Sequence, residues 1–382
     1  MAESLVQGTC DRKFDRLRRR LEDSLCLGEE AGCSVALYLD GRLVVDLWGG
    51  LADPASHRPW QHDTIVSTFS VTKALVSTMG HMLVDRGAID LDQPVARYWP
   101  AFAQGGKESV LIRHLFEHRA GLVYIDRELR PGDLYDWDLM IDAIEQSRPS
   151  GPIGGHPVYH NMTYGYLFGG LIQRVTGKRL GRFNRDELCG PLGLDYHLAL
   201  TPEEQRRCAT IIQKSRPEER FRLLDGAAGA LRRRSLQGFG ADESFNSIAW
   251  RTGELGSGQG HGNARAVAGL FECLRNAGRF GEHVIMRRET RDDAIAFRCE
   301  SDGADPVLGT HLRFASGYEL NCAAFPMGPN PNAFGHWGAG GAFGLADLQA
   351  GVAFGYTPNL MHGELRLGPR GSALVADVFE AL

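Results

Sequence analysis

The chain has 382 residues, 43% of them hydrophobic and 23% charged, with a formal net charge of -5. That length supports a large core and about two lobes, and the mild negative charge without a long basic block argues against a nucleic-acid partner. No run approaches the ~20 apolar residues of a membrane span, and Met1–Leu5 shows no basic stretch leading into an apolar core, so a soluble, cytoplasmic protein is expected. Eight cysteines without a Cys-x-x-Cys pair predict reduced, mostly packed thiols. The basic runs Arg16–Arg20 and Arg232–Arg234 read as solvated faces.

Taken in order, Arg12 to Leu25 predicts an opening helix. Two strands follow, Ser34–Tyr38 and Leu43–Trp48, joined by the hairpin turn signal Asp40-Gly41. A polar loop from Ala52 to Asp63 leads to an amphipathic run in which Val71, Ala74, Leu75, Met79, Met82 and Leu83 recur at helical spacing. From Leu91 to about Gly190 the periodicity is mostly helical, and a clear helix from Tyr164 to Val175 is stopped by Thr176-Gly177. Thr201 to Gly240 is charged and carries no clear period. Gly253 to Gly262 is glycine-rich and precedes a helix at Ala264–Arg275. Short alternating runs return at Gly309–Tyr318, Phe343–Leu348 and Gly351–Tyr356, and Ser372–Leu382 reads as a closing helix. Strands first, a helical middle and strands last imply an α+β fold: one antiparallel sheet built from both chain ends and flanked by helices, with a mostly helical lobe inserted. The expected boundaries are 1–90 and 256–382 for the two parts of the α/β lobe and 91–255 for the insertion.

Ser70 and Lys73 stand where the first strands give way to helix. Three residues apart on a helix, they share a face. A serine hydroxyl is a weak nucleophile until a base removes its proton, and burial lowers a lysine's pKa toward that task. The helix N-terminus adds free N–H groups and the positive end of a dipole, both suited to a developing oxyanion.

Two further stretches complete a pattern: His156-Pro157-Val158-Tyr159-His160-Asn161-Met162-Thr163-Tyr164-Gly165-Tyr166, in a loop before a helix, and Phe334-Gly335-His336-Trp337-Gly338-Ala339-Gly340-Gly341, before a strand-like run. With the Ser70 stretch they resemble the serine β-lactamase and penicillin-binding-protein superfamily, in particular its class C-related esterases and transacylases. Leu91–Tyr98, Ile112–Leu115 and Val175–Lys178 extend the resemblance in the same order, so it covers most of the chain. The resemblance implies that Ser70 is the acylated nucleophile, Lys73 its partner and Tyr159 the family's proton-relay tyrosine. A phenol beside an ammonium is then expected to ionise or relay a proton near neutral pH. It also implies an oxyanion hole made by the N–H groups of Ser70 and Ala339, and substrate contacts from Asn161, His336, Trp337 and Gly338.

The sequence departs from the β-lactamase pattern where His336 and Trp337 stand in place of Lys-Thr. A mostly neutral imidazole holds a carboxylate less well than lysine does. The expected function is therefore an esterase or transacylase acting on a small ester or thioester, with an alcohol or amine as possible acceptor. The alternatives are a β-lactamase or D-peptidase-like hydrolase, and a catalytically silent binding protein of the same fold. No cofactor and no metal are expected. His114-Leu115-Phe116-Glu117-His118 matches a His-x-x-Glu-His pattern, but no third ligand follows it, and the family has a helix-to-loop passage there. Gly258–Gly262 reads as a flexible loop lining the cleft. Tyr124 reads as pocket lining, and Tyr164 and Tyr166 are equally readable as pocket lining or as core.

Overall fold

The computed structural model describes residues 5–213, 226–239, 244–363 and 367–382. Its centre is an antiparallel sheet in the order Val6–Cys10, Arg42–Asp53, Gly32–Leu39, Val352–Pro358, Phe343–Asp347, Phe334–Trp337, Glu319–Leu320, Arg313–Phe314, Cys299–Glu300, with Arg58–Pro59 paired to the second of these. Every strand comes from one end of the chain or the other, as the sequence pattern implies. The hairpin at Asp40-Gly41 and the helices Ala264–Arg275 and Thr163–Thr176 form where their signals place them, the latter capped by a left-handed Gly177.

Alternation along the strands sorts the two faces. Val35, Leu37, Val45, Leu47 and Phe354 pack with Phe14, Leu17 and Leu21 of the first helix and with Leu374 and Val378 of the last. On the other face Ala36 meets Ala264 and Ala268. Small residues let that helix lie almost on the backbone: a Cβ at Gly355 would come 2.6 Å from Ala264 O, and one at Gly344 2.2 Å from the Phe271 ring.

Several expectations need correction. An edge strand at Val6–Cys10 has no readable period, because only Val6 of its five residues is buried. Phe334–Trp337 is itself a strand rather than the approach to one, whereas the Gly309–Tyr318 run contributes only Arg313–Phe314. The first helix's basic run is not simply solvated: Arg16 and Arg20 bond to Asp377 of the closing helix, whose side chain is fully buried. Arg232 is buried as well, and Arg234 lies over the Tyr124 ring at 3.7 Å. Part of the unassigned stretch from Thr201 to Gly240, residues 214–225 and 240, lies outside the described part. The eight cysteines are free thiols, and Cys26 is the exposed one. No helix among the described residues is long and apolar enough to cross a membrane.

The helix that follows Ser70, Val71–Asp85, is not amphipathic. Each residue from Val71 to Leu83 is buried, because the helix packs against the helices Thr163–Thr176 and Arg288–Ile295 and the strand Phe334–Trp337. Its polar side chains are bonded internally: Thr78 Oγ1 to Tyr318 Oη at 3.0 Å, His81 Nε2 to Ser316 O at 2.7 Å and Ser77 Oγ to Tyr164 Oη at 2.6 Å. A central position buries every side of a helix, so its polar side chains must find partners inside the protein.

Candidate active site

The turn that carries Ser70 is held from behind. Val66–Ser67 pairs with His261–Gly262. Thr68 donates its N–H to Gly260 O at 2.9 Å, and Gly260 donates to Thr72 Oγ1 at 2.9 Å. Residues 255 to 264 are all buried, so the glycine-rich stretch is a rigid brace and not a flexible cleft loop. Its glycines are needed for close packing: a Cβ at Gly260 would lie 2.6 Å from Thr72 Oγ1. Phe69 then takes a left-handed backbone, φ 49°, which costs a bulky residue ~1–3 kcal/mol. Its ring is held by Phe245 and Trp250, with centroids 4.9 and 5.9 Å away.

Ser70 occupies the N-cap of the central helix, yet its hydroxyl makes no capping bond. A serine there ordinarily gives its oxygen to an N–H of the first turn. Instead Ser70 Oγ lies 3.1 Å from Lys73 Nζ. Lys73 is 1% exposed, and burial pushes its pKa down to about 7, with the carboxyl of Glu319 pulling the other way. The amine donates to Ser257 O at 3.0 Å. In the free-base form its lone pair is then available to the Ser70 hydroxyl. Ser257 is fixed in turn, its Oγ accepting from Gly165 N and donating to Met162 O.

Tyr159 lies over the same amine, with Lys73 Nζ 4.8 Å from the ring centroid. The sequence leads one to expect an ionisable phenol. Ionisation is disfavoured, while relay of a proton by the neutral phenol is not: burial pushes the Tyr159 pKa well above its ordinary value, Glu319 adds to the rise, and the Ser70 hydroxyl offsets only part of it. Burial of the phenol is the largest influence on it, so desolvation wins. Asp305 fixes the loop by accepting the N–H groups of Tyr159, Val307 and Leu308 at 2.8, 2.9 and 2.8 Å. His118 stacks against Tyr159 and Tyr164 with centroids 4.9 and 4.7 Å away, and accepts the N–H of His160 at 3.0 Å. The other members of the apparent metal motif are engaged elsewhere, His114 with Leu111 N and Glu117 with Arg119. Asn161 is half-buried beside Tyr159. Tyr164 and Tyr166 are core: the first bonds Ser77, and the second donates to Leu134 O.

The third segment is the end of the strand Phe334–Trp337. Gly338 passes so close to the nucleophile turn that a Cβ there would sit 2.2 Å from Thr68 O, so no larger residue fits. Neither the Ser70 N–H nor the Ala339 N–H has an acceptor among the described residues. Trp337 is 4% exposed and packs with Phe343 and Phe325. His336 is 2% exposed; its Nδ1 meets Trp337 O at 2.8 Å, and its Nε2 lies 3.6 Å from Glu319 Oε1. Burial and the nearby Lys73 push its pKa down to about 3.

A family model described as beta-lactamase matches residues 18–377. The chain belongs to the β-lactamase family. Among curated members it is 34% identical over 365 residues to the esterase/β-lactamase LipL of Mycobacterium tuberculosis, covering 93% of this chain and 83% of that protein. It is 30% identical over 266 residues to esterase EstB of Burkholderia gladioli, covering 64% of this chain and 66% of that one. Among solved structures, a penicillin-binding-protein homologue from Caulobacter crescentus superposes with a TM-score of 0.91 at 32% identity, covering 99% of this chain and 100% of the other. A family VIII carboxylesterase does so at 0.90 and 33%, with the same coverage. Against this β-lactamase-family background, Asp305, His118, Ser257 and Glu319 are contributors that the sequence alone does not reveal. None stands in the three family segments, and each acts through a neighbour distant in sequence.

Proposed function

We propose that this β-lactamase-family protein is a serine esterase that acts through an acyl-enzyme on Ser70, with water and small alcohols or amines competing to discharge it. One observation carries the reading: the Ser70 hydroxyl, unspent on its helix, lies 3.1 Å from a buried lysine whose pKa is about 7. In acylation the Ser70 oxygen bonds to the ester carbonyl carbon while its proton passes to Lys73 Nζ. The N–H groups of Ser70 and Ala339 receive the oxyanion. As the C–O bond to the leaving group breaks, the Tyr159 phenol gives that oxygen a proton and is reprotonated from Lys73. Deacylation repeats the exchange with water, alcohol or amine as nucleophile. Asn161, from the Tyr159 loop, and Gly338, from the strand end, border the acyl group. The test is a panel of p-nitrophenyl esters with added alcohols and amines. Turnover is expected, with part of the acyl group recovered on the acceptor. If free acid is unchanged at high acceptor concentration, transfer fails and a plain esterase stands. No turnover and no adduct would leave a binding protein.

The same geometry disfavours substrates that need a cation for a carboxylate. His336 is neutral and buried beside the Glu319 carboxyl. A charge-assisted hydrogen bond of ~1.5–3 kcal/mol is therefore missing. A cephalosporin is expected to be hydrolysed no faster than its methyl ester. A preference for the free acid of about tenfold or more would show that a cation holds the carboxylate after all.

A further inference from the structure

Glu319 is the odd group in this site. It is 2% exposed, and neither carboxyl oxygen has a hydrogen-bond partner. The indole N–H of Trp337 makes no hydrogen bond of good geometry, though it lies near enough to the Glu319 carboxyl to lower its pKa. The strand register sets Glu319 opposite Gly335, next to His336. His336 decides the chemistry. A carbonyl oxygen can only accept, so the contact from Trp337 O at 2.8 Å places a proton on Nδ1. A neutral ring then turns a bare lone pair, Nε2, toward Glu319 Oε1 at 3.6 Å. An ionised carboxylate has only lone pairs to offer, so two acceptors would face each other in a water-poor site. One proton between them removes the conflict.

We propose that Glu319 is a positioning residue of the active centre, a carboxyl group that carries a proton and faces the bare Nε2 of His336 as a neutral acid. The inference rests on the acyl-serine reading above and deepens it. An ionised carboxylate here would draw a proton onto Lys73, because an opposite charge favours the ammonium form, and the base beside Ser70 would be lost. A neutral acid leaves Lys73 free and holds the His336 ring beside Tyr159, with centroids 6.4 Å apart. The groups that act on Glu319 agree in sum. Burial pushes its pKa up to about 8 and Asp305 adds to this, while Lys73 and the Trp337 N–H pull it down. Tyr159 and Cys322, the remaining titratable neighbours, have their own pKa values raised by Glu319 and bring no positive charge. His336, held near pKa 3 by burial and by Lys73, leaves the proton to the carboxyl.

The experiment is an infrared difference spectrum of the wild type against Glu319→Gln near pH 6.5, joined to a pH profile of ester hydrolysis. The amide copies the protonated acid, donating from nitrogen and accepting at oxygen. A protonated-carboxyl C=O band is expected in the wild type and absent from the variant. The variant is expected to leave the acidic limb of the pH profile within about half a pH unit of its place. A carboxylate band in the wild type overturns the proposal, as does an acidic limb that moves down by about one unit or more, because removing an anion lowers the lysine's pKa. The spectrum needs no turnover, so it reads Glu319 even if the esterase reading fails. Should Glu319→Gln not fold, the wild type alone decides: a protonated-carboxyl C=O band is expected near pH 6.5, and the absence of such a band overturns the proposal.

Discussion

Ser70→Ala is expected to lower ester turnover by at least about 10³-fold, since an acyl-enzyme route has no substitute for its nucleophile. The structure makes the experiment clean. Ser70 Oγ makes no capping bond, so its removal costs the helix none of the usual N-cap stabilisation. The left-handed Phe69 and the brace at Gly260 stay as they are. Thermal stability is therefore expected to stay within about 1 kcal/mol of the wild type. A fluorophosphonate should add one group to the wild type, on the peptide containing Ser70, and none to the variant. Label on another residue, or unchanged turnover in Ser70→Ala, would refute the assignment of the nucleophile.

What the sequence made legible was what local geometry enforces. Ser70 and Lys73 meet because a helix places residues three apart on one face. The sheet was readable from both chain ends because Ser34–Tyr38, Leu43–Trp48 and Val352–Tyr356 alternate or run apolar in the way buried strands do. Tyr159 and Ala339 came only through resemblance, since nothing local distinguishes them. Glu319 was invisible for a physical reason: it sits in a two-residue strand, and each group that sets its charge comes from another element. The central helix was misread as amphipathic because the hydroxyls of Thr72, Ser77 and Thr78 look solvent-facing until their internal partners are known. Arg232 shows the same limit, as a basic run reads as surface although its first member is buried. The Tyr159 pKa was misjudged because a sequence shows which charges lie near but not how little water does, and in this pocket desolvation is the larger effect.

Lys73 should give opposite signs for activity and stability. The free amine is the working form, and it predominates above a pKa of about 7. Wild-type kcat/KM is therefore expected to fall about tenfold per unit as pH drops below that point. Lys73→Met, similar in length and always uncharged, removes the base and should cost about 10²–10⁴-fold. Lys73→Arg should cost as much, because a guanidinium does not give up its proton in this range. Stability runs the other way. An unfolded lysine titrates near 10.4, so between about 7 and that value the unfolded chain binds more protons at this residue than the folded one. The resulting penalty on folding is complete below about 7 and fades as pH rises toward the unfolded value. Lys73→Met is thus expected to melt at a higher temperature than the wild type, with a larger gain at about pH 6 than at about pH 9. Calorimetry at the two pH values, set beside the rate profile, checks both signs. A gain that does not shrink with pH, or a variant that keeps wild-type turnover, would mean that Lys73 is neither neutral by burial nor the base.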